Sequence, residues 1–227
     1  MKQIDMTGKK VLITGGSGGI GSSICESFLE AGAEIIAPSS SEMDLRSNES
    51  IDGFFLTQGI APDIVIHSAG INEQAGISEI EADVLDRVFQ VNLFSFMRIL
   101  KYVIPEMKKN RFGRIVGISS LYGIVSKERR IPYSSSKHAM TGLIKSTALE
   151  LACDNILING VAPGYVMTKM TRKNLSDEEI GLIKEQIPTG RFQESSEIAD
   201  LSLFLCSDLN QSITGQIIPV DGGFICR

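Results

Sequence analysis

The run Val11-Leu12-Ile13 ends on Thr14-Gly15-Gly16-Ser17-Gly18-Gly19-Ile20-Gly21, and Ile20, Ile24 and Phe28 follow at helical spacing. A short apolar run closed by glycines is the pattern of a strand buried on both faces. Apolar residues four apart form the inner stripe of an amphipathic helix, and Gly32 supplies its stop. Strand, glycine-rich turn and helix in that order constrain the chain more than any other feature. They open a parallel sheet, and they point backbone N–H groups at whatever lies over the turn.

The pattern repeats downstream. Ile35-Ile36 and Ile64-Val65-Ile66 read as strands, the latter followed by His67-Ser68-Ala69-Gly70. Ser78-x-x-Glu81 predicts a capping box opening a helix with Val84, Leu85 and Val88 on one face. Ile115-Val116-Gly117-Ile118 is a strand ending at Ser119-Ser120, and a long helix is expected from near Tyr133 to about Ala152. Ile156-Leu157-Ile158 and Ile217-Ile218-Pro219-Val220 complete the strands. This alternation predicts an α/β fold: a doubly wound parallel sheet covered by helices on both faces. With 227 residues, 43% of them hydrophobic, the chain reads as a single domain over 1–227 with no linker.

A formal net charge of −5 and a pI near 5.2 argue against an electrostatic nucleic-acid binder. Lys108-Lys109 and Arg129-Arg130 read as solvated surface. Cys25, Cys153, Cys206 and Cys226 form no Cys-x-x-Cys pair, and His67 and His138 stand in no metal-ligand pattern. No metal site is expected. Neither a secretory signal nor a membrane-spanning run is visible, so the expectation is a cytoplasmic protein away from membranes.

Two sets of residues carry chemistry. A pyrophosphate needs donors and positive potential, which the first turn of a helix provides. Gly15, Gly19 and Gly21 allow the close approach; the competing reading is a plain glycine-rich turn. Tyr133 and Lys137 stand four apart and share a helix face. A nearby ammonium is expected to lower the tyrosine pKa and make it a competent general acid or base. Ser120 is placed to hold a substrate oxygen against the Tyr133 hydroxyl; it is preferred over Ser119 because Ser120-x-x-Gly123 continues the motif.

These motifs together resemble the short-chain dehydrogenase/reductase family over nearly the whole chain. The matching text is Thr14-Gly15-x-x-x-Gly19-Ile20-Gly21, Ala69-Gly70, Val91-Asn92, Ser119-Ser120-x-x-Gly123, Tyr133-x-x-x-Lys137, Pro163-Gly164-x-x-x-Thr168 and Asp221-Gly222-Gly223. The resemblance implies a Rossmann-like fold, an NAD(P) cofactor and interconversion of a ketone and a secondary alcohol. It places the pyrophosphate on Gly15, Ser17, Gly19 and Ile20, adenine near Asp44 and Leu45, and the nicotinamide carboxamide near Val166 and Thr168. Ala69, Gly70, Pro163 and Gly164 border the cofactor in this reading. It makes Asn92, Ser120, Tyr133 and Lys137 the catalytic set, with Lys137 also on the nicotinamide ribose and Asn92 holding a water that links Lys137 to solvent.

Two departures stand out. His67-Ser68 replaces the usual Asn-Asn, and the helix normally found between the second strand and an Asp-Leu motif is missing from Ala37 to Leu45. Rossmann spacing beyond Gly21 lands on Ser39 where an acid would select NAD, so NADP(H) is the expected preference, with NAD(H) possible if Glu42 occupies the ribose site. A lid is expected at about 164–190. Its text, with Met167-Thr168-Lys169-Met170-Thr171, Leu175, Ile187-Pro188 and Arg191, is most similar to 3-oxoacyl-acyl-carrier-protein reductases. A 3-oxoacyl thioester is therefore the leading substrate, with Arg129, Arg130, Arg172 and Lys173 available to an acidic carrier. The alternatives are a free small ketone, sugar or polyol, and a non-catalytic dinucleotide sensor. The resemblance and the apolar segment from Ile213 to Ile225 imply a homo-oligomer, a tetramer in expectation.

Overall fold

The computed structural model describes residues 4–168, 171–172 and 175–226. Its first half runs β1 (Lys10–Thr14), α1 (Gly19–Glu30), β2 (Glu34–Ile36), α2 (Asn48–Gln58), β3 (Ile64–His67) and α3 (Ala82–Phe89). A π-helical turn, Gln90–Phe94, joins α3 to α4 (Ser95–Asn110). Then follow β4 (Gly113–Ile118), α5 (Ile131–Leu151), β5 (Ile156–Pro163), α6 (Asp177–Gln186), α7 (Ser195–Cys206) and β6 (Ile217–Val220).

The strands form one parallel sheet in the order β2-β1-β3-β4-β5-β6. Register is set by pairs such as Leu12 with Val65, Ile66 with Val116, and Ile118 with Val161. Successive strand residues feed opposite cores, which is why the strands are apolar throughout. Leu12, Val65, Ile115 and Ile158 pack under α2, α4 and α5 with Phe55, Phe96, Ile99, Met140 and Ile144. Val11, Ile13, Ile64, Ile66, Val116 and Val161 pack under α1 and α7 with Ile24, Phe28, Ile198 and Leu205. The doubly wound parallel sheet expected from the alternation is present, and with it the Rossmann-like arrangement that the resemblance implies.

All strands point the same way, so Gly15, Ser68, Ser119 and Gly164 gather along one edge. Because β2 and β3 flank β1 on opposite sides, the chain reverses direction of winding there. A crevice opens at such a switch point.

Three local expectations change. The Ser78–Glu81 capping box does not form: Ser78 lies in a turn, and α3 begins at Ala82 with Glu81 as an N-cap that makes no side-chain bond. Val88 is buried on α3, but Leu85 is 37% exposed, so the expected inner face is narrower. The long helix starts at Ile131, two positions before Tyr133, because Pro132 fits the first turn, where no N–H is needed. The absence of a helix after β2 is confirmed. Residues 37–47 make only a tight turn in which the Glu42 and Met43 N–H groups donate to the Ser39 carbonyl at 3.1 and 2.9 Å.

Among the described residues no helix is long and apolar enough to cross a membrane, and no group of three or more His, Cys, Asp or Glu is placed to hold a metal ion.

Candidate active site

The crevice at β1 holds a cavity of about 360 Å³. Gly15, Ser17, Ser39, Asp44, Leu45, Ala69 and Gly70, all cofactor-site candidates from the sequence, line it. Gly15 has φ +69°, and a Cβ there would stand 2.8 Å from the backbone N and Cα of Ala69. Only glycine keeps this left-handed turn against the neighbouring strand end. A Cβ on Gly21 would lie 2.1 Å from the Gly15 carbonyl oxygen, so the turn folds directly onto α1. The cradle therefore exposes main chain in place of side chain, which suits a pyrophosphate. Gly19 lies outside this lining and packs against Thr168, whose Cγ2 would be 2.8 Å from an added Cβ. The residues expected at the pyrophosphate and at the carboxamide thus stand side by side. Ile20 is half-buried at the start of α1 and is not part of the cavity lining.

At the adenosine end Glu42 turns away. Its carboxylate accepts from the Ser39 N–H and Oγ, both at 2.8 Å, and lines a separate cavity with Ile36, Phe54 and Ile60. Ser39 and Ser40 stay on the crevice side. Asp44 is held by Arg46, whose Nε and Nη2 donate to its carboxylate at 2.9 and 2.8 Å. Arg46 also borders the crevice. Sequence reading overlooked it because the family spacing points to Ser39; the missing helix is what brings Arg46 in.

The catalytic candidates converge at the next two strand ends. Lys137 is 3% exposed; its Nζ donates to the Ile118 carbonyl at 2.7 Å and lies 5.7 Å from the Tyr133 ring centroid. Ser120 and Tyr133 line one cavity of about 670 Å³ with Gly164 and Val166. Ser119 is instead buried against Gly123, and its Oγ has no hydrogen-bond partner among the described residues. Gly70, on the lining of the first cavity, stands beside two catalytic candidates: a Cβ on it would lie 3.5 Å from both Lys137 Nζ and Asn92 Oδ1. Pro163 ends β5 at the same edge.

Asn92 sits in the π-helical turn, a local widening that frees backbone groups and is frequent at functional sites. Its side chain is fully engaged: Oδ1 accepts from Ile71 N–H at 2.9 Å, and Nδ2 donates to Ile71 O and Ser136 Oγ, both at 3.0 Å. A water relay at Asn92 would therefore use the main-chain carbonyl. His67 is fully buried, stacked on Phe96 at 4.7 Å with Nδ1 3.0 Å from Thr14 Oγ1. Thr14 also accepts from the Ala69 N–H at 3.3 Å, tying the glycine turn to the neighbouring strand end.

Burial dominates the electrostatics. It brings the Lys137 ammonium down to about 8. It also pushes the Tyr133 phenol up, against the pull of the Ser120 hydroxyl and the Arg130 charge. The sequence expectation that Lys137 lowers the tyrosine is corrected on this point. Lys137 Nζ stands 5.7 Å from the Tyr133 ring centroid, but in the protein alone the loss of solvation outweighs the favourable charges.

The larger cavity is lined on one side by Thr171, Leu175, Glu179, Leu182 and Ile183 from the segment expected to form a lid. Tyr122 and Tyr165 face each other there with hydroxyls 3.0 Å apart, and burial pushes the Tyr122 phenol up. Asn72, Gln74, Lys127 and Arg130 complete its polar wall. The basic residues expected on one carrier-binding surface diverge: Arg129 pairs with Glu79 at 2.7 Å, and Arg130 turns into the cavity. Lys173, Lys169 and Met170 lie outside the described residues.

The chain matches a family model described as enoyl-(acyl carrier protein) reductase over residues 37–225. It is 37% identical to a 3-oxoacyl-[acyl-carrier-protein] reductase of Aquifex aeolicus, with 97% of this chain and 99% of that protein covered. Identity to the enzyme of that name from Thermotoga maritima is 33%, with the same coverage. Among solved structures it is similar to 4-hydroxyisoleucine dehydrogenase complexed with NADH, at TM-score 0.90 and 27% identity over 96% of this chain and 99% of that one. The Pseudomonas aeruginosa RhlG/NADP complex matches with TM-score 0.89 and 27% identity over 97% of each chain.

Proposed function

The chain belongs to the short-chain dehydrogenase/reductase family of NAD(P)-dependent alcohol–carbonyl oxidoreductases, and we propose that it reduces a ketone with NADP(H), Tyr133 acting as general acid. The observation that carries this reading is the placement of Ser120 and Tyr133 on one cavity wall, with the Lys137 ammonium buried 5.7 Å from the Tyr133 ring centroid and beside Gly70 of the first cavity.

A bound nicotinamide supplies the hydride for reduction or takes it up in oxidation. Gly15, Ser17, Gly19 and Ile20 receive the pyrophosphate; Asp44 and Leu45 border the adenine. Val166 and Thr168 orient the carboxamide, with Ala69, Gly70, Pro163 and Gly164 along the track. The Ser120 hydroxyl donates to the carbonyl oxygen of the substrate and holds it toward Tyr133. Tyr133 gives its phenolic proton to that oxygen as the carbon is reduced, and the alcohol leaves neutral. Lys137 favours the resulting phenolate and binds the ribose hydroxyls, and the Asn92 carbonyl holds the water that returns a proton. In oxidation the same groups act in reverse. Residues 164–190 close over the substrate as a lid on this one domain.

NADP(H) is preferred because Ser39 and Ser40 face the ribose end of the crevice while Glu42 is held on the far side. The relatives' names favour a 3-oxoacyl thioester as substrate. A second reading, a free small carbonyl compound, is favoured by the polar cavity wall of Asn72, Gln74, Lys127 and Arg130. The family resemblance also supports a homo-oligomer, in the simplest case a tetramer using the segment from Ile213 to Ile225; sedimentation showing only monomer at micromolar concentration would refute that.

Tyr133→Phe removes only the transferable proton. Turnover is expected to fall by about two or more orders of magnitude with dinucleotide affinity nearly unchanged. Near-normal turnover in that variant would overturn the assignment.

A further inference from the structure

The catalytic cavity contains a cation that proton transfer does not require. Arg130 precedes Tyr133 by three residues at the start of α5. Its neighbour Arg129 adopts φ +60° and turns outward, where both terminal nitrogens donate to Glu79 at 3.0 and 2.7 Å. Arg130 turns the opposite way, into the cavity of about 670 Å³.

Its partners there are neutral. Nη1 donates to Asn72 Oδ1 at 2.8 Å, and the guanidinium carbon lies 5.8 Å from the Tyr122 ring centroid. Among the described residues no carboxylate forms an ion pair with it. Glu179, on the same cavity wall, is already the acceptor for the Ser176 N–H and Oγ at 2.8 and 3.0 Å. Lys127 adds a second positive charge to the lining. The backbone under Arg130 is fixed from two sides. The Ala75 N–H donates to Arg129 O at 3.0 Å, and the Ser134 N–H donates to Arg130 O at 2.7 Å.

A guanidinium fork with one edge on Asn72 keeps donors for a planar anion, and a charge-assisted pair of this kind is stronger than a neutral hydrogen bond. Arg130 is half-buried and borders the cavity without a protein counter-charge among the described residues, so an anion arriving there meets an uncompensated cation. Arg130 and Tyr133 line the same cavity, so a carboxylate held there belongs to the molecule whose carbonyl meets Tyr133.

We propose that Arg130 receives a carboxylate of the substrate, so that the preferred substrates are short oxo acids and their hydroxy acids rather than uncharged ketones or acyl thioesters. The inference rests on the reading of Ser120 and Tyr133 as the carbonyl-binding pair.

The test compares 2-, 3- and 4-oxo acids with their methyl esters, which keep the reacting carbonyl but lack the charge, and with acetoacetyl-coenzyme A. At least one acid is expected to exceed its ester in kcat/KM by tenfold or more. In Arg130→Gln the acid-to-ester ratio falls at least tenfold, carried by KM, and Arg130→Lys recovers part of it. Calorimetric titration of the corresponding hydroxy acid is expected to show the same loss of affinity without turnover. If acid and ester fall equally in Arg130→Gln, or if its pH profile shifts while the ratio stays constant, Arg130 tunes Tyr133 and the proposal is overturned. It is also overturned if the thioester or the esters are the better substrates of the unaltered protein. Absence of turnover on every carbonyl compound would count against the reading of Ser120 and Tyr133 themselves.

Discussion

The Lys137 ammonium donates to the carbonyl oxygen of Ile118 at 2.7 Å, so the buried cation is tied to the strand that leads into Ser120. One hydrogen bond to a neutral carbonyl does not offset full loss of solvation, which is why the pKa of Lys137 falls from 10.5 to about 8. In the unfolded chain the amine still binds its proton up to the ordinary value. The unfolded state therefore holds more protons between about pH 8 and 10.5, and stability of the protein alone rises with pH across that window.

Lys137→Met fills similar volume without a charge. Below pH 8 it removes a penalty on the order of 3 kcal/mol by linkage, offset by about 1 kcal/mol for the lost hydrogen bond. Its melting temperature at pH 7 is expected to exceed that of the unaltered protein by several degrees, with the gain shrinking as pH approaches 10, while turnover is lost. A variant that is less stable at pH 7 and unchanged in pH slope would contradict this account. Scanning calorimetry over pH 7–10 without added cofactor provides the comparison.

Gly15→Ala tests the cradle. The left-handed φ of +69° and the 2.8 Å approach to Ala69 leave no room for a methyl group. Strain and displacement of the β3 end together are expected to cost about 2 kcal/mol or more. Dinucleotide binding, followed by reduced-cofactor fluorescence, is expected to weaken at least tenfold. Gly53→Ala meets nothing within 4 Å and serves as the control that binds normally.

Ser39→Asp tests cofactor choice. The unaltered protein is expected to bind NADPH more tightly than NADH, because Glu42 is engaged by Ser39 and faces the cavity lined by Phe54 and Ile60, while Asp44, the acid on the crevice wall, is paired with Arg46. An aspartate at position 39 places a carboxylate on the crevice side, where it accepts from ribose hydroxyls and repels a 2′-phosphate. NADPH affinity should fall at least tenfold while NADH affinity holds or improves. Tighter NADH binding by the unaltered protein would show that the crevice already presents an acid to the ribose.

The sequence made the sheet, the glycine cradle and the Tyr133–Lys137 face readable because each depends on local spacing. A βα turn needs its glycines within a few residues, and a helical pair needs only an offset of four. Arg46 and Arg130 were not read as cavity residues because their placement depends on chain geometry elsewhere. Arg46 reaches the crevice only through the short connection after β2, and the opposite directions of Arg129 and Arg130 follow from a single positive φ. The Ser78–Glu81 match failed for a related reason: the spacing fits a capping box, but the chain continues as a turn until Glu81. The widening at Asn92 left no mark in the apolar periodicity, since Val91 and Leu93 are buried as they would be in a regular helix.

His67 gives the last prediction. Burial, and secondarily the charge of Lys137, bring its pKa from 6.5 down to about 3, so the imidazole is neutral in the folded chain. Its Nε2 has no partner among the described residues, and its ring is packed on Phe96. As pH drops below 6.5 the unfolded chain takes up a proton at this position and the folded chain does not. Stability present above that value is therefore lost progressively toward about pH 3. His67→Asn removes this proton uptake and also the stacking contact. The variant is expected to be less stable at pH 7.5, by about 1–2 kcal/mol for the lost ring packing, yet to lose less stability between pH 6.5 and 4. Urea unfolding at a series of pH values measures both slopes; parallel curves would show that some other group sets the acid limit.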